Sequence, residues 1–165
     1  MPDSASQYGV PDRYRLALPR AERRNPWLRH LLDLYAVIDM SVAKAVERAT
    51  EAGMPPGCRK GCDGCCHQGI FLTPLEVAGL RWYVRAEMRP QLREIVRARA
   101  GEQGATCAFL YKGTCTAYPV RPVTCRRYVV GGAPCAPGED ASKTRPQDVL
   151  WPSRTALNAG YALTL

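Results

Sequence analysis

Eight cysteines stand in a chain of 165 residues, and they bunch. Cys58, Cys62, Cys65 and Cys66 form one tight group, written Cys58-x3-Cys62-x2-Cys65-Cys66, and Cys107, Cys115, Cys125 and Cys135 form a looser one over 29 residues. Free buried cysteines have no physical reason to gather in this way. Thiolates are soft ligands, suited to zinc, to copper(I) and to iron–sulfur clusters. All eight are therefore candidate metal ligands, and one composite site is the simplest arrangement. Gly57, Gly61, Gly64 and Gly69 surround the tight group. Glycine is costly inside a helix, by about 1 kcal/mol relative to alanine, but permits the sharp turns that bring sulfurs together. The segment Cys62-Asp63-Gly64-Cys65 suits a metal-gripping turn that merges into a short helix. Cys65 and Cys66 are adjacent, and neighbouring side chains diverge. Either one of them is not a ligand, or the pair serves two metals or a cluster of several irons. The bacterial Cys-x2-Cys-x2-Cys ferredoxin run is absent.

Around the second group, Tyr118, Arg121, Pro122 and Arg126 bracket Cys125. Arginine beside thiolates offsets their charge and donates hydrogen bonds to sulfur, so Tyr118, Arg121 and Arg126 are candidates to support the ligands. The plainer role for Arg121 is a tie to a backbone carbonyl or a carboxylate. His67 follows the tight group and His30 sits in a helical stretch; both are read as structural rather than as ligands. Gly131-Gly132 is too short for a phosphate cradle, and no serine or aspartate has the setting of a nucleophile. Any chemistry would belong to the metal. A closed four-thiolate site would be structural, and an open position would be needed for substrate.

The elements that must position these residues are mostly helical. Residues 1–24 read as a flexible, Arg-rich arm with three prolines. Asn25-Pro26 reads as N-cap and first helical residue of a long amphipathic helix, carrying Leu28, Leu31, Leu32, Tyr35, Ile38, Val42 and Val46 and stopped by Gly53 and Pro55. Thr73-Pro74-Leu75-Glu76 has the capping-box pattern for a second helix reaching about Met88, with Leu72 and Val77 placed for a hydrophobic staple. Pro90 breaks that helix or starts a third, with Leu92, Ile95 and Val96 inward. Lys112-Gly113 reads as a turn between short extended pieces, and the chain after Gly131 reads as loop. The expected fold is mainly α. It is a small single domain with one long N-terminal helix, one or two shorter helices and an irregular Cys-rich lobe with little strand. The domain spans 25–150, with its metal-binding core at 57–135 and a C-terminal tail at 151–165.

Lysine and arginine number 23 against 15 acidic residues, a formal charge of +8, and 19 of the 23 are arginine. Thiolate ligands soften this: two zinc ions on eight thiolates would bring the charge to +4, and one cluster of charge +2 on four thiolates to +6. Arg81, Arg85, Arg89, Arg93 and Arg97 recur at spacing four, one basic stripe if the helix is continuous. No apolar run approaches the ~18 residues of a membrane span, and the opening residues do not read as a signal peptide. A cytoplasmic protein with no membrane association is expected. There, clustered cysteines bind metal rather than pair as disulfides.

The motif as a whole resembles the YkgJ-type cysteine cluster family, named for a CxxCxxCC-like pattern and described as zinc- or iron-chelating. The resemblance rests on the tight group, on Cys107-Ala108-Phe109-Leu110, and on Cys115-x2-Tyr118-x2-Arg121-Pro122-x2-Cys125-Arg126, and it covers residues 57–135. It implies metal-site roles for Cys58, Cys62, Cys65, Cys66, Cys107, Cys115 and Cys125, with Cys135 matching a more variable later cysteine. Ala117 stands where an aliphatic residue often precedes the tyrosine. A similar cluster accompanies methyl transfer in flagellin lysine N-methylases, which are much longer chains; nothing here supplies a cofactor loop for that reaction. The implied cofactor is an iron–sulfur cluster (4Fe-4S) or zinc. The implied role is electron transfer or support of a partner enzyme that modifies another molecule. The alternative is a zinc-stabilised adaptor that binds nucleic acid or an acidic protein through the Arg-rich helix face.

Overall fold

A computed structural model describes residues 5–59, 61–100, 106–136 and 138–164. Among these residues the chain is mainly helical, as expected. Seven α-helices occur: α1 (Pro19–Arg24), α2 (Trp27–Glu51), α3 (Pro74–Ala86), α4 (Pro90–Ala100), α5 (Val123–Arg127), α6 (Ala141–Thr144) and α7 (Arg154–Ala162). The strand content is one antiparallel hairpin, β1 (Leu110–Tyr111) and β2 (Thr114–Cys115), with Leu110 opposite Cys115. Its turn is Lys112-Gly113, both at positive φ. That matches the paired left-handed residues of a tight hairpin turn.

Helix α2 is the axis of the molecule. Every residue from Leu31 to Ile38 is buried, Asp33 included. A one-sided amphipathic helix would bury a stripe. Here Leu31-Leu32-Asp33-Leu34-Tyr35-Ala36-Val37-Ile38 is apolar nearly all round, and neighbours cover it from several sides. Each fully buried leucine or isoleucine contributes roughly 1.5–3 kcal/mol. Leu28, Leu31, Leu32, Leu34, Tyr35 and Ile38 join Leu80 of α3 and Ala117, Val120 and Val123 in the main core. Gly79 of α3 and Gly160 of α7 let those helices approach closely: a Cβ would run into Leu31 Cδ2 at the first and lie 2.9 Å from Leu34 Cδ1 at the second.

Three local expectations change. Asn25 does not cap α2; its side-chain amide donates to Ala21 O at 3.1 Å and closes α1, while Pro26 precedes α2 in helical conformation. The segment read as a flexible arm folds, over residues 5–24, into two 3-10 turns and α1, and buries Ala5 and Val10 beside Ala36, Val37 and Leu163. Its anchor is Arg15, whose Nε donates to Asp33 Oδ1 at 2.5 Å and whose Nη2 donates to Glu22 Oε2 at 2.7 Å. The segment read as a tail contains α7, capped by Ser153 Oγ accepting from Ala156 N at 3.1 Å. Ser153 N in turn donates to Ser41 Oγ on α2. In both cases short apolar side chains find a buried partner only once α2 exists.

Candidate metal centre

The tight cysteine group is positioned from both ends. Upstream, Gly57 N donates to Val130 O at 2.8 Å and Gly132 N donates to Pro55 O at 2.7 Å. Pro56 pairs with Gly131 in an isolated antiparallel bridge. Downstream, a 3-10 turn over Gly64–His67 carries Cys65 and Cys66, with Cys66 N donating to Asp63 O at 2.8 Å. The expected turn that merges into a short helix is thus observed. Beyond it, α3 begins with the expected capping box. Glu76 N donates to Thr73 Oγ1 at 3.2 Å, and Thr73 N donates back to Glu76 Oε2 at 2.8 Å. Leu72 of the expected staple is exposed.

The looser group folds back onto the tight one. Cys107 N donates to Cys66 O at 2.7 Å. Cys115 ends β2, Cys125 lies on α5, and Cys135 follows the Gly131–Gly132 strap. All eight cysteines are half-buried and none is in a disulfide. Among the described residues, no three His, Cys, Asp or Glu side chains converge as closely as ligands on one ion. The thiols are neighbours rather than a closed polyhedron.

Their electrostatics show who neighbours whom. Cys66 donates its thiol hydrogen to Cys65, which lowers Cys65 and, with burial, raises Cys66. Burial first, then the charges of Cys65, Cys107 and Cys115, push Cys125 up to about 12. Burial also raises Cys115, which is opposed by a hydrogen bond from Ala117 N and by the charge of Arg121. On the other side, burial raises Cys58, with the charges of Cys62 and Cys65 adding to it and Val130 N, which donates to its sulfur at 3.3 Å, opposing. Burial raises Cys135 too, with the charges of Cys58 and Glu139 adding to it and Arg145 opposing.

Basic groups attend these sulfurs. Arg121 lies 4.3 Å over the Tyr118 ring. Its Nε is buried and donates to nothing among the described residues. A buried guanidinium nitrogen with no acceptor costs free energy unless an anionic partner offsets it. A thiolate centre is such a partner, so the residues fit zinc or iron held by sulfur. Arg126 has a different task from the one expected. It is buried, and it donates to Arg121 O at 2.7 Å, to Pro119 O at 2.5 Å and to Asp39 Oδ2 on α2 at 2.5 Å, with its guanidinium 3.9 Å over the Tyr35 ring. It staples α5 to α2 and touches no sulfur in these contacts. Arg145 was not singled out from the sequence. It donates to Cys135 Sγ at 3.8 Å, to Glu139 Oε1 at 2.8 Å, to Asp148 Oδ2 at 3.2 Å and to Ala133 O at 3.0 Å. Nothing in its local sequence marks it, because the turn through α6 brings it there.

His67 has Nδ1 3.3 Å from Thr106 Oγ1 and Nε2 4.0 Å from Asp63 Oδ2, and His30 is exposed. The arginine stripe is divided by the break at Met88–Pro90 between α3 and α4. Arg93 donates to Met88 O at 3.1 Å, Arg97 pairs with Glu94 at 3.0 Å and Arg99 donates to Leu110 O. Two cavities, of about 190 and 280 Å³, lie between the arm and α5 and beside Phe71; no cysteine lines either. No helix among the described residues is long and apolar enough to cross a membrane.

This geometry defines a small helical protein organised around a cysteine cluster. The chain belongs to the CxxCxxCC family, whose description reads "Putative zinc- or iron-chelating domain", and the match covers residues 57–148. No curated protein and no solved structure matches the chain. The family region includes the Arg145 network and Cys135, and stops short of α7.

Proposed function

We propose that the chain holds zinc or iron through Cys58, Cys62, Cys65, Cys66, Cys107, Cys115, Cys125 and Cys135, and serves a partner enzyme in the cytoplasm. The observation that carries this reading is that cysteines from two distant segments meet, Cys107 N bonding to Cys66 O, beside Arg121, whose charge acts on Cys65, Cys115 and Cys125 and whose buried Nε has no acceptor among the described residues. Bound metal would supply a structural crosslink as zinc, or an electron carrier as a 4Fe-4S cluster. The chain's own residues do the rest. Val130 N–H and Arg145 donate to sulfur, and Arg121 offsets thiolate charge.

The test is anaerobic purification followed by elemental analysis and a visible spectrum. Iron with acid-labile sulfide supports electron transfer; zinc in a colourless protein supports the accessory role. Cys62→Ser combined with Cys65→Ser should strip at least one metal from each chain. Metal content unchanged by that double substitution would end the reading.

A further inference from the structure

Positive charge is unevenly spread over the chain. Residues 12–29 hold six arginines, no lysine, and the two carboxylates Asp12 and Glu22, a net +4 in 18 residues, so the other 147 residues share the remaining +4 of the formal +8. Metal on the thiolates would lower that second share to 0 with two zinc ions, or to +2 with one cluster, and would leave the first unchanged. The charge of the molecule thus sits on the segment that docks against α2.

Within that segment α1 has two faces. Leu18 and Ala21 pack on the main core. Glu22 is taken up by Arg15, and its Oε1 also accepts from Leu18 N at 3.0 Å. Arg20, Arg23 and Arg24 stand at i, i+3 and i+4, which places them on one face of the helix. All three are exposed, and none is in an ion pair among the described residues. The helix dipole accounts for cations in the last turn, Arg23 and Arg24, but disfavours Arg20 near the start. Arg29, also exposed, stands beside α1: the Glu22 carboxyl is lowered first by the hydrogen bond from Arg15 and also by the charge of Arg29.

The rest of the segment selects among polyanions. A helix lying on a bilayer buries an apolar face beside its charges. Here Leu18, Ala21 and Trp27 pack on the main core; Leu16, outside α1, is the one large apolar side chain between 12 and 29 left exposed. A protein interface has an apolar centre, and this face offers none. What it offers is guanidinium, whose planar fork matches phosphate. We propose that the outer face of α1, Arg20, Arg23 and Arg24 with Arg29 beside it, binds the sugar–phosphate backbone of duplex nucleic acid without reading its sequence. The arginine stripe of α3 and α4 is a different surface, in which Arg93, Arg97 and Arg99 are tied to the chain itself.

The probe is a short duplex DNA of mixed sequence, titrated by fluorescence anisotropy with the full chain purified anaerobically. Four guanidiniums on four phosphates predict a slope of about −3.6 for log K against log salt, a weakening of about 150-fold between about 50 and 200 mM. R20Q/R24Q should halve the slope, to a weakening of about 12-fold over the same range. R81Q/R85Q removes the same charge from exposed positions on α3 and should keep the wild-type slope. Equal losses from the two pairs would show attraction by net charge alone and overturn the proposal. Failure of the wild-type chain to bind DNA would overturn it too, and binding to phosphatidylserine vesicles or to polyglutamate instead would assign the face to a membrane or to an acidic protein. Because a loosened α1 also weakens binding, the wild-type chain is footprinted with phenylglyoxal. Duplex DNA should protect Arg20, Arg23, Arg24 and Arg29 and leave Arg81 and Arg85 reactive; the reverse pattern would overturn the assignment.

Discussion

Glu76 does more than close the capping box in which it sits. Its Oε2 accepts from Thr73 N and Thr73 Oγ1, each at 2.8 Å, and its Oε1 accepts from Val123 N at 2.7 Å. One buried carboxylate thereby caps α3 and holds the start of α5, the helix that bears Cys125. Hydrogen bonds to a charged group contribute roughly 1.5–3 kcal/mol each, and truncation strands the donors it served. Glu76→Ala should cost about 3 kcal/mol in urea unfolding, whereas Val77→Ala, half-buried on the same helix, should cost less. Equal losses would show that Glu76 acts only through packing. Arg126 follows similar logic: its guanidinium lies among two carbonyls, Asp39 and the Tyr35 ring, so its place beside Cys125 in sequence reflects the anchoring of α5 rather than contact with sulfur.

At the scale of elements, the strap is the tightest joint near the cluster. Gly57 is buried with three backbone atoms of the opposing segment inside 3.0 Å of where a Cβ would stand. Backbone atoms cannot swing aside as a side-chain tip can, so the segments must part. Gly57→Ala should destabilise by about 1–3 kcal/mol, the usual cost of overpacking. It should also speed amide exchange at Gly57 and Gly132, whose N–H groups bond across the strap. An unchanged exchange rate at Gly132 would show that the strap opens without cost. The α3–α4 break acts in the other direction. By turning the chain at Met88–Pro90 it splits the arginine stripe between two helices, and Arg93 and Arg99 are spent on carbonyls.

At the scale of the whole molecule, two couplings can be measured. The N-terminal segment is latched by Arg15 between Glu22 and Asp33. The hydrogen bond from Arg15 holds the Glu22 carboxyl below its ordinary 4.5, with burial opposing and Leu18 N–H assisting. A carboxyl lowered by folding stabilises the fold fully above its unfolded value, and that contribution fades as pH falls through the folded one. The latch should therefore hold at neutral pH and loosen below about pH 4.5, seen as faster amide exchange over residues 5–24. No change at these amides on acidification would mean that burial of Ala5 and Val10 suffices. The second coupling is to metal. Chelation should speed exchange first in residues 106–136 and the strap, and last in α2, because metal binding is folding energy for the lobe that supplies the ligands. Equal protection with and without chelator would show that the metal is not structural.

The sequence by itself determined what local chemistry can determine. Cysteine spacing, the capping box at Thr73, the turn at Lys112-Gly113 and the long helix ending near Gly53 were all legible, because each depends on residues within a few positions of one another. The apolar run from Leu31 to Ile38 also stands in the sequence, but its spacing alone predicts a single stripe rather than a helix covered all round. Only the tertiary structure decided the rest. It docks residues 5–24 and α7 on α2, brings Arg145 to Cys135 and pairs Arg126 with Asp39. These contacts join residues 10 to more than 100 positions apart, as with Arg145 and Cys135 or Ser153 and Ser41. No local pattern encodes them, because their free energy comes from surfaces that meet only after α2 has formed and its neighbours have packed around it.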